Sequence, residues 1–108
     1  MVDEEHQQLS QTLHECVEAC NHCYYACLKE EDVKMMAECI RLDRECAEIC
    51  AFLEHALTRS TSFAPDLAKV CSRICEACGS ECQKHEHNHC QKCAEACFKC
   101  AKACKEIA

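Results

Sequence analysis

The stretch CVEACNHCYYAC, residues 16–27, places Cys16, Cys20, Cys23 and Cys27 at intervals of four, three and four. Alternating threes and fours return a side chain to one face of an α-helix. The rhythm recurs at Cys71, Cys75, Cys78 and Cys82, and again at Cys90, Cys93, Cys97, Cys100 and Cys104, while Cys39, Cys46 and Cys50 lie between. Thiols therefore stand where a helical bundle ordinarily carries leucine. The chain reads as a container for a soft metal ion.

Composition supports this. Cysteine supplies 16 of 108 residues, whereas Val, Ile, Leu and Phe together supply only 18. A core of those aliphatic and aromatic groups alone is thin for a domain of this size, so the thiols must fill the interior as small apolar groups. The formal charge of −7 argues against nucleic acid, which needs a basic face. No apolar run approaches the roughly 20 residues of a membrane span. The start, MVDEEHQQ, has acids where a signal peptide has basic residues. A cytosolic location, where thiols stay reduced, is expected.

The length suits one domain, residues 1–108. No segment alternates with period two, which leaves an all-α chain. Four helices of roughly 20–27 residues on short turns predict an antiparallel up-down-up-down four-helix bundle with a cysteine-lined core. The first starts near Asp3, a candidate N-cap, and points His6, Leu9, Leu13 and its four cysteines inward. Asp32 is a candidate N-cap for the second, which presents Met35 or Met36, Cys39, Leu42 or Asp43, Cys46, Cys50, Leu53 and Leu57 and runs to about Thr58. Asp43 is read as facing solvent beside a core Leu42. Residues 59–62 are a polar break, and Pro65 falls in the first turn of the third helix. Gly79 in that helix allows a close helix approach at a cost of about 1 kcal/mol. Asn88 with Gln91 resembles a capping box that starts the fourth helix.

Antiparallel packing gives the bundle two unlike ends. Leu9, Leu13, Leu53, Leu57, Phe63, Leu67 and Ile107 gather into a hydrophobic plug at one. Turn 28–35 and the tract His85, His87, His89 gather at the other, which makes these histidines candidates for metal entry. His6, His14, His22 and His55 read as surface or structural. Val17, Tyr24, Tyr25, Ile40, Ile49, Phe52, Ile74 and Phe98 flank the cysteine stripe, and helix-face association into an oligomer is expected to cover those that helix–helix packing does not.

Pairs such as Cys16/Cys20, Cys46/Cys50 and Cys100/Cys104 sit about 5–6 Å apart at Cβ on a helix. A disulfide wants about 3.8 Å, so these pairs favour a shared ion. Soft thiolates select Cu(I), Zn(II) or iron–sulfur clusters. Zinc wants four ligands in a tetrahedron, whereas Cu(I) is content with two or three thiolates, and a continuous ladder of pairs suits many such ions. Spacing alone leaves zinc open. A thiol oxidoreductase using a CxxC pair is the rival from another class. Redox CxxC pairs open a helix on a βαβ scaffold, and here only Cys90/Cys93 lies at a helix start.

The paired cysteines on all four helices, the segment ECIRLDRECAEIC (38–50) and the segment CEACGSECQKHEHNHCQKCAEACFKCAKAC (75–104) resemble the cytosolic bacterial copper storage proteins. The resemblance implies a homotetramer of four-helix bundles that stores many Cu(I) ions along each core. It implies no enzymatic activity. Carried onto this chain, the ligands are the 16 cysteines, with His85, His87 and His89 at the mouth and Met35 and Met36 less central. Cys39 has Asp43 where a CxxxC partner stands in other pairs.

Overall fold

The computed structural model describes residues 4–108, with side chains from His6 onward. The proposed cap at Asp3 lies outside the described residues. Four helices follow in order: α1 (Glu4–Leu28), α2 (Ala37–Thr58), α3 (Ala64–Cys82) and α4 (Asn88–Lys105), with a short 3-10 turn at Val33–Met36 before α2. At 19 and 18 residues, α3 and α4 fall below the expected lengths. Each helix packs on its two sequence neighbours around a square, α1 closing against α4. The result is the antiparallel bundle that short turns enforce, 46 × 18 × 17 Å. No helix among the described residues is long and apolar enough to cross a membrane.

The predicted stripe faces inward on every helix. All 16 cysteines are free thiols, each no more than 1% exposed. Leu9, Leu13, Leu53 and Leu57 are buried beyond them and seal one end, with Leu67 and Ile107 partly buried against this plug. Phe63 does not join it and is 63% exposed. It precedes the first residue of α3, off the helical stripe, and Ala64 and Ala68 take the inward positions. His6 is partly exposed at this end.

The helix ends differ in detail from expectation. Asp32 heads the 3-10 turn, not α2, and makes no side-chain cap. No capping box forms at Asn88, because His87 occupies the N-cap position of α4 and makes no side-chain cap there. The Gln91 side chain instead donates Nε2–H to the carbonyls of Gln83, 3.2 Å, and His85, 2.6 Å. It satisfies orphan acceptors after α3, where a polar side chain is as useful as at a helix start. Pro65 lies in the first turn of α3, where its missing N–H costs nothing. Gly79 does admit a close approach: a Cβ there meets the Phe98 ring of α4 at 2.8 Å.

Of the flanking apolar residues, Val17, Ile40, Ile49 and Ile74 pack against the core, while Tyr25, Phe52 and Phe98 are exposed. His22 and His55 are exposed as expected, and His14 bridges to Glu54 at 3.4 Å on the surface.

Candidate metal centre

Because cysteine is short, inward side chains meet even across the diagonal of the bundle. Cys46 of α2 lies 3.9 Å from Cys97 of α4, and Cys50 lies 3.9 Å from Cys100. The interior is therefore one column of sulfur, a few atoms wide, running along the axis. Within a helix, six of the CxxxC pairs hold their sulfurs 3.7 to 4.0 Å apart, as in Cys23/Cys27 and Cys16/Cys20. Between helices the spacing is similar: Cys46 to Cys75 3.6 Å, Cys50 to Cys71 3.7 Å, Cys93 to Cys20 3.7 Å.

These distances create overlapping groups able to hold an ion. From the sealed end outward they include Cys50/Cys71/Cys75/Cys100, Cys16/Cys46/Cys50/Cys75, Cys16/Cys20/Cys46/Cys97, Cys20/Cys78/Cys93/Cys97 and Cys23/Cys27/Cys39/Cys90. The centre of a tetrahedron with edges near those lengths lies about 2.3 Å from its corners, the length of a metal–thiolate bond. The first four of these share two sulfurs from each to the next, so neighbouring ions there would share ligands. Cys104 is buried beside Cys71 and Cys100 at the bottom of the column. Cys39, without a thiol partner on its own helix, finds one across the bundle in Cys82 at 3.2 Å.

Asp43 overturns the solvent-facing expectation. It is fully buried, as is most of Leu42. Its Oδ1 accepts S–H bonds from Cys78, Cys82 and Cys93, each 3.3 Å, and Oδ2 accepts one from Cys39 at 3.8 Å. The positions 39, 43, 46, 50 keep the four-three-four rhythm, so the spacing marked Asp43 as inward where its polarity suggested otherwise. Burial, with the neighbouring Cys93 and Cys39 adding to it, pushes this carboxyl up to about 8. Burial likewise pushes the Cys90 thiol up to about 12 and raises Cys27, both with help from Cys39. Thiols held neutral in this way must release protons when a cation enters.

At the far end only one of the three histidines reaches sulfur. His89 Nδ1 lies 3.4 Å from Cys23, 3.6 Å from Cys90 and 3.9 Å from Cys27. Those three sulfurs are 3.7, 3.8 and 3.9 Å apart, so the four donors outline a nearly regular tetrahedron. His87 stacks parallel on His89, ring centres 5.3 Å apart, and faces outward to Glu30 at 3.3 Å and Asp32 at 3.4 Å. His85 turns aside to Glu81 of its own α3 turn, 2.9 Å. Met36 is buried in the core, whereas Met35 is 74% exposed.

Comparison with known proteins bears on this geometry. The family model described as "Csp: Copper storage protein" matches residues 2–108. The chain belongs to the copper storage protein family. The cysteine-rich protein YhjQ of Bacillus subtilis (strain 168) is 50% identical over 94 residues, 87% of each chain. The Cu(I)-bound copper storage protein BsCsp3 superposes with a TM-score of 0.93 at 45% identity, over 97% of this chain and 99% of its own. A cytosolic copper storage protein from Streptomyces lividans carrying five coppers superposes with a TM-score of 0.93 at 36% identity, over 96% of this chain and 92% of its own. The four-helix architecture derived from cysteine spacing is thus the family's architecture.

Proposed function

We propose that this chain stores Cu(I), many ions at a time, on the thiolates of its 16 cysteines. The observation that carries the reading is the unbroken sulfur column: every cysteine is buried, and none has any role that requires burial except packing or binding. A structural core needs neither this number of thiols nor groups spaced for a shared ion. Ions enter at the histidine end, because the leucine plug closes the other, and His89 serves as the mouth ligand. His87, stacked on His89, stands outside it to hand an ion inward, and His85 serves the same end of the bundle. The protein is not an enzyme; it sequesters a reactive cation away from water and oxygen, in the cytosol, where thiols stay reduced.

The relatives described as copper-bound share the fold and support copper over zinc. So does coordination chemistry, since overlapping groups that share sulfurs suit an ion content with two or three thiolates. Assembly as a homotetramer is part of the proposal: Tyr25, Phe52 and Phe98 are exposed on three different helices, and packing between copies covers such groups. The chain works as one domain throughout.

Anaerobic titration of the reduced apoprotein with Cu(I) against a strong competing chelator tests the function. Saturation well above four ions per chain, with zinc unable to displace them, is the expected result. Saturation near four with zinc retained overturns it in favour of a zinc buffer.

A further inference from the structure

The mouth ligand is held by a residue outside the sulfur column. A neutral imidazole carries one proton, on Nδ1 or on Nε2, and only the bare nitrogen can bind a metal. His89 Nε2 stands 2.7 Å from Glu30 Oε2. An ionised carboxylate can only accept, so this contact places the ring proton on Nε2 and leaves the Nδ1 lone pair on the side of Cys23, Cys27 and Cys90. Were the proton on Nδ1, the same ring would present an N–H to the three sulfurs and close the tetrahedron to a cation.

Three further features hold the arrangement. Glu30 lies just beyond α1, and its backbone N–H donates to the Cys27 carbonyl at 3.2 Å, which ties it to the helix carrying two of the sulfurs. His87 contacts the same carboxylate oxygen at 3.3 Å and lies flat against His89, so the ring is clamped on its outer face. The His89 side chain is only 12% exposed, which leaves water little part in choosing its tautomer. Glu30 thus reaches from the α1–α2 turn to a ring on α4, 59 residues away.

We propose that Glu30 is the positioning residue of the outermost metal site, fixing the Nε2–H tautomer of His89 so that Nδ1 completes a three-sulfur, one-nitrogen tetrahedron for the first Cu(I) ion to enter. The inference rests on the reading of His89 as the mouth ligand. Carboxylates that accept from the far nitrogen of a metal-bound histidine orient the ring and raise its donor strength, and losing one costs about 10–100-fold in affinity.

Two measurements on reduced, full-length protein test it, with circular dichroism confirming that each variant remains helical. Nitrogen-15 NMR of the His89 ring in the apoprotein reads the tautomer directly: Nε2–H in the wild type, a substantial Nδ1–H population in Glu30→Ala, and recovery of Nε2–H in Glu30→Gln, whose amide oxygen still accepts. Competition for the first equivalent of Cu(I) reads the consequence: about 10–100-fold weaker in Glu30→Ala, within about threefold of wild type in Glu30→Gln, and unchanged total capacity in both. An unaltered tautomer, or unaltered first-ion affinity, in Glu30→Ala overturns the role of Glu30. A wild type that takes up no Cu(I) overturns the storage reading instead, and the NMR arm then still decides what Glu30 does.

Discussion

Asp43 Oδ1 on α2 stands 3.3 Å from the Cys93 sulfur on α4, across the diagonal of the bundle. A carboxylate thus sits in the middle of a sulfur column, accepting from thiols of α2, α3 and α4. Its burial is tolerable because four S–H groups point at it and because it is held protonated far above its ordinary range.

That second condition makes apoprotein stability depend on pH. The carboxyl titrates from 3.8 ordinarily to about 8 in the fold, so between those values the folded chain binds more protons than the unfolded one. Stability is then whole below about pH 4 and declines as pH rises towards 8. Denaturation of the reduced apoprotein at pH 5, 6, 7 and 8 is expected to show this fall, and Asp43→Asn to lack most of it. Parallel slopes for the two proteins contradict the assignment.

Gly79 supplies a second expectation. In Gly79→Ala the new methyl lies within 3 Å of three Phe98 ring atoms, and overpacking costs about 1–3 kcal/mol against a helix-propensity gain of about 1 kcal/mol. The substitution is expected to destabilise by about 1 kcal/mol net. Placed in a Phe98→Ala background, the same change is expected to stabilise by about 1 kcal/mol, since only the propensity gain remains. Urea denaturation of the four proteins measures the cycle, and additivity refutes the contact.

Loading is expected to raise thermal stability steeply, because ions bind the folded column and not the dispersed cysteines of an unfolded chain. Each site filled at a thousandfold excess over its dissociation constant adds about 4 kcal/mol. Anaerobic calorimetry of apo and loaded protein checks this, and stripping the metal with a thiol-competitive chelator is expected to restore the apo transition. Coincident transitions contradict binding in a preformed core.

Position along the column is expected to separate rate from capacity. Replacing Cys71 and Cys104 by alanine removes ligands beside the plug, lowers the saturating stoichiometry by about one or two ions and leaves the earliest uptake unchanged. Replacing Cys23 and Cys90 by alanine removes the mouth site and slows uptake of every ion. Stopped-flow loading with elemental analysis distinguishes these outcomes, and equal effects from both double variants contradict entry from one end.

Much of this was legible in the residues. The fold followed from the intervals between cysteines, because helical periodicity and burial are both local consequences of spacing. The direction of the column followed from where Leu9, Leu13, Leu53 and Leu57 lie along antiparallel helices. What stayed hidden depended on partners far apart in the chain. Asp43 obeys the inward rhythm, yet an acid is read by its charge until the thiols that satisfy it are seen on other helices. Glu30 carried no signal, since its partner His89 follows 59 residues later. Asn88 and Gln91 had the right types for a cap, but the carbonyls left by α3 competed for the Gln91 amide and won.

The leucine plug gives the column a memory. A sleeve with one opening receives and returns every ion at its mouth, so an ion that has passed inward leaves only after those nearer the opening. Copper lodged beside Cys71 and Cys104 is then an archive, exchanged only when the rest has been spent, while copper near Cys23, Cys27 and Cys90 turns over with each fluctuation in supply. A chain filled with one stable isotope and then briefly exposed to another should exchange the ions near the mouth and keep those beside the plug.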